Sequence, residues 1–333
     1  MPLGPQHIGT RVVVRHLLAA PEPGASATDV LGVLVAFDDD GLTVDTERHG
    51  RIRVPAAAVV VGKPVPERAA TLLRVSADRV AVVAAEGWRP RTVERLGDWW
   101  LREAAGFTGR ANSILPVGSP GRPLDQALAA AEHFYARHGL PPLAQVVIGS
   151  AVERPLLDAG WDIPREPSGV LVQVASVTQA RRRAGPQLAA VSLLAEPSPG
   201  WLDVYGRAAD APAGVVSAVL GSGQVALAAI GDVGRRPVAI GRGVVTGDWL
   251  GLSAVEVVPE RRRQGLARQV VDALLAWGAE RGARTAYLQT MPDNAAALAL
   301  YADYGFVTHH RYRYLAPGPA APSRRAAGQD PAR

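Results

Sequence analysis

A chain of 333 residues exceeds one ordinary domain of roughly 100 to 150 residues, so two or three units are expected. It contains no cysteine, which excludes disulfides, thiolate metal sites and a cysteine nucleophile and leaves catalysis to oxygen and nitrogen groups. Its net charge of +5 is carried almost wholly by arginine, with Lys63 the single lysine, and is scattered along the chain, so nucleic acid is a conceivable partner that no basic stripe indicates. No apolar run nears the roughly 20 residues that span a bilayer, and the opening MPLGPQHIGT has no basic-then-apolar signal. A cytoplasmic location without membrane contact is therefore expected.

From Ile8 to about Pro66 the sequence predicts short strands at Thr10–Arg15, Val30–Phe37, Leu42–Thr46 and Arg51–Val54. Asp38 to Gly41 reads as a tight hairpin, and Val54-Pro55-Ala-Ala-Ala as a helical turn before a last strand near Val59. The pattern resembles the SH3-like β-barrels attached to some bacterial proteins. It implies either an adaptor for a partner or nucleic acid, or a packing or dimerisation module. The segment offers no aromatic platform on which bases could stack.

The rest of the chain carries an internal repeat. Ala111-Asn-Ser-Ile-Leu-Pro116 lies over Ala254-Val-Glu-Val-Val-Pro259 at an offset of 143, and each follows a Gly-Asp-Trp, at Gly97 and Gly247. At the same offset a helix at Leu124–His138 before Gly139 matches a helix at Ala267–Arg281 before Gly282, and the two lead to strands at Ala144–Ile148 and Thr285–Gln289. Each copy closes on a helix ending in glycine plus an aromatic, Asp158-Ala-Gly-Trp161 and Asp303-Tyr-Gly-Phe306. They differ in the loop before the first helix, where Arg122 and Pro123 stand opposite Gly265. A side chain and a lost amide donor there make the first copy structural, although Gly118 and Gly121 keep a glycine loop that could hold an anion. Past Leu315 the chain turns to Pro, Ala, Gly, Arg and Ser, a composition expected to be disordered. The expected domains are therefore 1–66, 67–190, 191–316 and a tail, 317–333.

The second copy reads Val255-Glu-Val-Val-Pro-Glu-Arg-Arg-Arg-Gln-Gly-Leu-Ala-Arg268 and later Asn294-Ala-Ala-Ala-Leu-Ala-Leu-Tyr301-Ala-Asp-Tyr-Gly-Phe306. In these residues it resembles the GNAT N-acetyltransferase superfamily. Arg262-x-x-Gly265-x-Ala267 fits that family's acyl-CoA loop, and Asn294 with Tyr301-x-x-Tyr-Gly-Phe306 fits its last helix. Strand, loop, helix, strand and helix follow the family's order over about sixty residues. A small barrel before two GNAT-like halves also resembles a group of actinobacterial acetyltransferases with an SH3-like amino-terminal domain. The fold class expected is thus α/β with a mixed sheet: the barrel, then tandem GNAT-like halves.

Physical chemistry supports the loop separately. A helix starting near Gly265 leaves its first amides unpaired at the positive end of the helix dipole. A diphosphate can approach them over Gln264, Gly265, Leu266 and the small Ala267, with Arg262, Arg263 and Arg268 supplying charge. The Lys-Ser/Thr of a nucleotide-triphosphate loop is absent. The resemblance implies acetyl-CoA as co-substrate and no metal, with pantetheine lying against the backbone of Val255 and Val257 as an added strand. It also implies that Asn294 contacts CoA and that the Tyr301 hydroxyl protonates the departing thiolate. The attacking amine must lose a proton, and Glu256, the carboxylate in an otherwise apolar strand, is the candidate base or else a structural ion pair. Asp203, Asp248, His309 and His310 are weaker candidates. The acceptor is an amino acid, a small metabolite or a protein amino group, and oligomeric state is left open. The rival from another class is a non-catalytic acyl-CoA sensor or scaffold.

Overall fold

The runs of β-branched residues in the amino-terminal segment form five strands, β1 (Arg11–Glu22), β2 (Ala25–Asp38), β3 (Gly41–Thr46), β4 (Gly50–Pro55) and β5 (Val59–Pro64). The computed structural model describes residues 3–22, 25–46, 49–65, 72–164, 169–186, 190–207, 211–232 and 235–318. The chain divides into two units, 1–74 and 75–333, and the predicted tail falls almost entirely outside the described residues. In the first unit every pairing is antiparallel, in the order β4-β3-β2-β1-β5. Alternate residues Val12, Val14, Val30, Leu34, Val44 and Val54 turn inward as its core. The predicted hairpin pairs Asp38 with Gly41, and a 3-10 turn at Ala56–Ala58 leads into β5. The expected closed barrel is, among the described residues, an open sheet: β5 uses its ladder on β1, and none joins it to β4.

The second unit contains α1 (Ala77–Glu86), β6 (Thr92–Leu96), β7 (Trp99–Glu103), β8 (Ile114–Leu115), α2 (Leu124–Arg137), β9 (Ala144–Val147), α3 (Glu153–Asp158), β10 (Trp161–Asp162) and β11 (Val170–Ser176). It continues with α4 (Val177–Arg181), β12 (Val191–Leu194), α5 (Pro199–Tyr205), α6 (Ala213–Leu220), β13 (Gln224–Ile230), β14 (Ala239–Thr246) and β15 (Trp249–Val257). Last come α7 (Leu266–Glu280), β16 (Thr285–Thr290), α8 (Ala295–Asp303) and β17 (Val307–Pro317). One mixed sheet runs β12-β13-β14-β15-β16-β11-β17-β9-β8-β7-β6, with β10 on β17. Helix α7 buries Leu266, Val270, Val271, Leu274 and Leu275, spaced as one helical face, against it. Helix α2 does the same with Ala127, Leu128, Ala131, Phe134 and Tyr135 in a separate core.

The repeat is present as helix-then-strand, α2–β9 and α7–β16, and both β8–β9 and β15–β16 are parallel pairs. The two Gly-Asp-Trp segments are not equivalent. Gly97 turns β6 into β7, whereas Gly247 turns β14 into β15, and β7 and β14 both pair antiparallel with the strand that feeds the helix. The matching residues serve similar turns one hairpin apart, because any tight strand reversal favours glycine at positive φ, here +57° and +58°.

The halves also exchange their closing strands. Strand β11, which follows the first half's last helix, lies between β16 and β17, while β17 bridges β11 and β9. A cut at residue 190 separates β11 from both sheet neighbours. Antiparallel β11–β17 pairing thus joins two half-sheets whose edges would otherwise be exposed.

Candidate active site

Strand β15 carries the geometric irregularity that makes the site. Its ladder to β14 slips between Ile240 and Arg242, and Ala254 takes φ +53°, the signature of a bulge. On its other edge β15 pairs with β16 only from Trp249 to Leu252. Beyond Leu252 the two strands part. Val258 N–H bonds the Val238 carbonyl at 3.0 Å and Glu256 registers opposite Ile240, so ladder alternation turns the backbone groups of Val255 and Val257 to the parted edge. The Arg262 Nε donates to the Val257 carbonyl at 3.2 Å, leaving that residue's N–H.

A cleft of about 760 Å³ opens there, lined by Val255, Glu256, Val257, Arg262, Arg263, Gly265, Leu266, Ala267, Arg268, Asn294 and Tyr301. All but one of the sequence-chosen site residues therefore meet. Gln264 is the exception: its side-chain oxygen accepts from Arg261 Nε at 3.0 Å and it does not line the cleft.

Gly265 is the N-cap of α7 at φ +77°, and no side chain caps the helix, whose first bond is Gln269 N–H to the Gly265 carbonyl. The amides of the first turn consequently face the cleft without intrahelical partners. Nothing lies within 4 Å of where a Gly265 Cβ would stand, so glycine is needed for its left-handed backbone. Arg263 also sits at positive φ, +62°, is exposed, and has no ion-pair partner among the described residues. Arg268 contributes less charge than expected, because it pairs with Asp303 at 2.7 Å and donates to the Arg183 carbonyl at 3.3 Å.

Asn294 is the N-cap of α8. Its Oδ1 accepts from Ala297 N–H at 3.1 Å, and its amide nitrogen makes no hydrogen bond among the described residues. Tyr301 is 6% exposed, packs edge-on to Phe306, and its hydroxyl has no hydrogen-bond partner among the described residues. Burial, with the Glu256 carboxylate adding to it, pushes its pKa well above the usual phenol value, so the hydroxyl stays protonated. Glu256 does both things considered for it: it lines the cleft and it pairs with Arg207 at 3.1 Å, its side chain a third exposed.

The weaker base candidates do not join the cleft. Asp203 is exposed on α5. Asp248 lies at the opposite end of β15, where its carbonyl accepts from Arg284 and Thr285. His309 and His310 bond each other at 2.8 Å on β17, and His309 Nε2 contacts the Val75 carbonyl. Burial and the neighbouring His309 hold His310 down to about 4.

The first copy's loop has an occupant of its own. The Asp98 carboxylate accepts from Ser119 N–H at 2.8 Å and lies 2.6 Å from where a Gly118 Cβ would be. The glycine loop that could have held an anion thus closes on a carboxylate of this chain. What the sequence reading missed lies across the sheet: Trp88, Arg110, Arg242 and Ser253 surround the vertex where β15 leaves β16. The only signal was Arg242 within the apolar run Ala239–Val245.

This sheet, parted after a bulge and followed by an uncapped helix, is the GNAT fold. A GCN5-related N-acetyltransferase from Kribbella flavida superposes with a TM-score of 0.56 at 18% identity, over 73% of this chain and 96% of that one. The chain belongs to the family described as "Probable histone acetyltransferase Rv0428c C-terminal", which matches residues 78–315, and residues 6–63 match its "Rv0428c N-terminal Sm-like domain". The small β unit is thus described as Sm-like, where SH3-like was expected. The "Probable histone acetyltransferase Rv0428c" of Mycobacterium tuberculosis (strain ATCC 25618 / H37Rv) is 30% identical over 321 residues, 92% of this chain and 95% of the relative. The "Uncharacterized N-acetyltransferase YobR" of Bacillus subtilis (strain 168) is 28% identical over 253 residues, 71% of this chain and 97% of the relative. The protein is an acetyltransferase of the GNAT class. Among the described residues no helix is long and apolar enough to cross a membrane.

Proposed function

We propose that the chain transfers the acetyl group of acetyl-CoA to a primary amine by direct attack in a ternary complex. The observation that carries this reading is the convergence on one cleft of three features: free amides before α7, a strand edge parted from its neighbour, and a buried phenol. The amides at residues 265–268, with Arg262 and Arg263, suit a diphosphate. The pantetheine arm takes the place of a strand beside Val255 and Val257, and the Val257 N–H stabilises the thioester oxygen as negative charge grows on it.

The amine enters from the opposite side of the sheet. It loses its proton to Glu256, directly or through one water, and its lone pair attacks the thioester carbon. As the carbon–sulfur bond breaks, Tyr301 donates its proton to the thiolate, and the proton that the nitrogen gives up on becoming an amide restores the phenol. Its raised pKa makes it a weak acid but keeps it fully protonated at neutral pH. The acceptor is drawn from free amino acids, small metabolites and protein amino groups; the name of the mycobacterial relative keeps a histone-like protein among them. Retention of Tyr301 favours turnover over acyl-CoA sensing, since a sensor has no need of a thiolate acid.

The test is thiol release from acetyl-CoA over a panel of amines, comparing wild type with Tyr301→Phe and Gly265→Arg. Turnover that falls in both, with acetyl-CoA binding kept by the tyrosine variant, supports the reading. Tight acetyl-CoA binding without turnover on any amine supports the sensor, and absence of binding overturns both.

A further inference from the structure

A carboxylate of the chain itself lines the cleft beside the start of α7. Of the acids that line the cleft, Glu256 lies on the parted strand, whereas Asp303 is the last residue of α8 and pairs with the first turn of α7. Arg261 and Arg262 are held by neutral oxygens, those of the Gln264 side chain and the Val257 carbonyl. Among the described residues Arg268 is the cleft arginine with an acidic partner, its Nη2 donating to Asp303 Oδ2 at 2.7 Å. A carboxylate in the last turn of a helix meets the negative end of the helix dipole, so its place there does not serve α8. It also stands where an incoming anion is repelled.

The supports of this pair are held independently of it. The Tyr304 hydroxyl donates to Asp272 Oδ1 at 2.5 Å and stands 3.1 Å from the Arg268 carbonyl, and the Arg268 guanidinium lies 5.0 Å from the centre of that ring. Asp272 also accepts from the Gly185 N–H at 3.2 Å, which ties the segment after α4 to α7. In that segment Arg183 donates to the Asp303 carbonyl at 3.1 Å, and its own carbonyl accepts from Arg268 Nη1 at 3.3 Å. The Arg268 side chain thus rests on a fixed ring and a fixed carbonyl, with one nitrogen reaching the carboxylate. The two side chains are 31% and 65% exposed, and an ion pair so open to water is weak.

Resting on the acetyl-CoA reading above, we propose that Asp303 is a positioning residue that competes with the cofactor for Arg268. Without cofactor, Arg268 pairs with Asp303. As the cofactor binds, the guanidinium exchanges that carboxylate for a phosphate oxygen beside the uncapped amides of α7, a charge-assisted bond to a group carrying more negative charge. The exchange leaves Asp303 unpaired next to the phosphates, so repulsion opposes binding and favours departure. Acetyl-CoA and the CoA product carry the same phosphates, and both are held less tightly than the loop by itself would hold them. Asp303 therefore sets cofactor affinity and hastens product release without touching the reacting atoms.

The experiment measures acetyl-CoA and CoA affinity by calorimetry in wild type, Asp303→Asn, Arg268→Ala and the double variant. Asp303→Asn is expected to tighten binding of both ligands by about two- to fivefold, the range of an exposed ion pair, and to lower the acetyl-CoA KM while kcat does not rise. Arg268→Ala weakens binding, and on that background Asp303→Asn gains less than it does on wild type, because no guanidinium remains to be released. A pair with a merely structural role would loosen binding when the carboxylate is lost. Affinity unchanged or weakened in Asp303→Asn, a higher kcat in that variant, or an equal or larger gain on the Arg268→Ala background each overturns the exchange. Failure of wild type to bind acetyl-CoA overturns the acetyl-CoA reading instead. If Arg268→Ala does not fold, Arg268→Gln completes the cycle.

Discussion

The two halves of the second unit differ in what their matching loops present to the space before the helix. Before α2, Asp98 reaches into the glycine loop and takes the Ser119 amide, so the loop is satisfied from within. Before α7, no side chain caps the helix, Arg263 is unpaired among the described residues, and the amides face a cleft of about 760 Å³. The backbones differ as well: before α2 the positive-φ residues are Gly118 and Gly121 and the N-cap is the extended Pro123, whereas before α7 they are Arg263 and the N-cap Gly265 itself, and neither helix has a side-chain cap. The difference thus lies in the loop backbone as well as in a few side chains.

The sharpest way to break this comparison is at the reactive end of the open half. Tyr301→Phe should lower kcat by about 10²- to 10⁴-fold while leaving acetyl-CoA affinity within about twofold, checked by steady-state kinetics and calorimetry. An unchanged kcat would remove the phenol from the chemistry.

Next in size is the seam between the halves. His310 is held at about 4 against an ordinary value near 6.5, so the unfolded chain binds more protons between those values. Stability is therefore full above about pH 6.5, falls as pH drops toward 4, and levels off below it, by up to about 3 kcal/mol. Denaturant unfolding at pH 7, 5.5 and 4.5 should show this slope, and His310→Asn should flatten it.

Swapping the loops' characters tests the comparison directly. Gly265→Arg forces a side chain into a left-handed backbone, a strain of roughly 1–2 kcal/mol, and should weaken acetyl-CoA binding at least tenfold. Asp98→Ala should cost about 1 kcal/mol in thermal unfolding and leave that affinity unaltered, since its carboxylate is exposed and serves only its own turn. A gain of anion binding in the first loop on removing Asp98 would show that this carboxylate alone had closed it. The smallest effect is expected from Arg263→Ala, a several-fold loss of acetyl-CoA affinity that shrinks as salt rises, because that cation is exposed.

Much of the open site was legible because its parts are local. Val255 to Arg268 is one strand, one loop and one helix start, and residues 294 and 301 are two turns apart on α8, so neither depends on distant contacts. Spacing alone could not show that Asn294 spends its oxygen on the helix cap, that Arg268 is paired with Asp303, or that Gln264 turns to Arg261. Those outcomes depend on which partner lies nearest in space. The two Gly-Asp-Trp turns misled for a related reason: a reversal signal marks a turn without saying which hairpin it closes.

By itself the sequence determined the strands of the first unit, the helix–strand repeat, and the uncapped helix start at Gly265, since local propensity, periodicity and a residue free to take positive φ suffice for these. Tertiary structure decided what is non-local. Strands β11 and β17 cross between halves because pairing them covers two open sheet edges, and no local pattern encodes that choice. Asp98 closes one loop from a turn twenty-one residues away. Arg110 and Arg242, 132 positions apart in sequence, meet over one tryptophan only once the two half-sheets are joined.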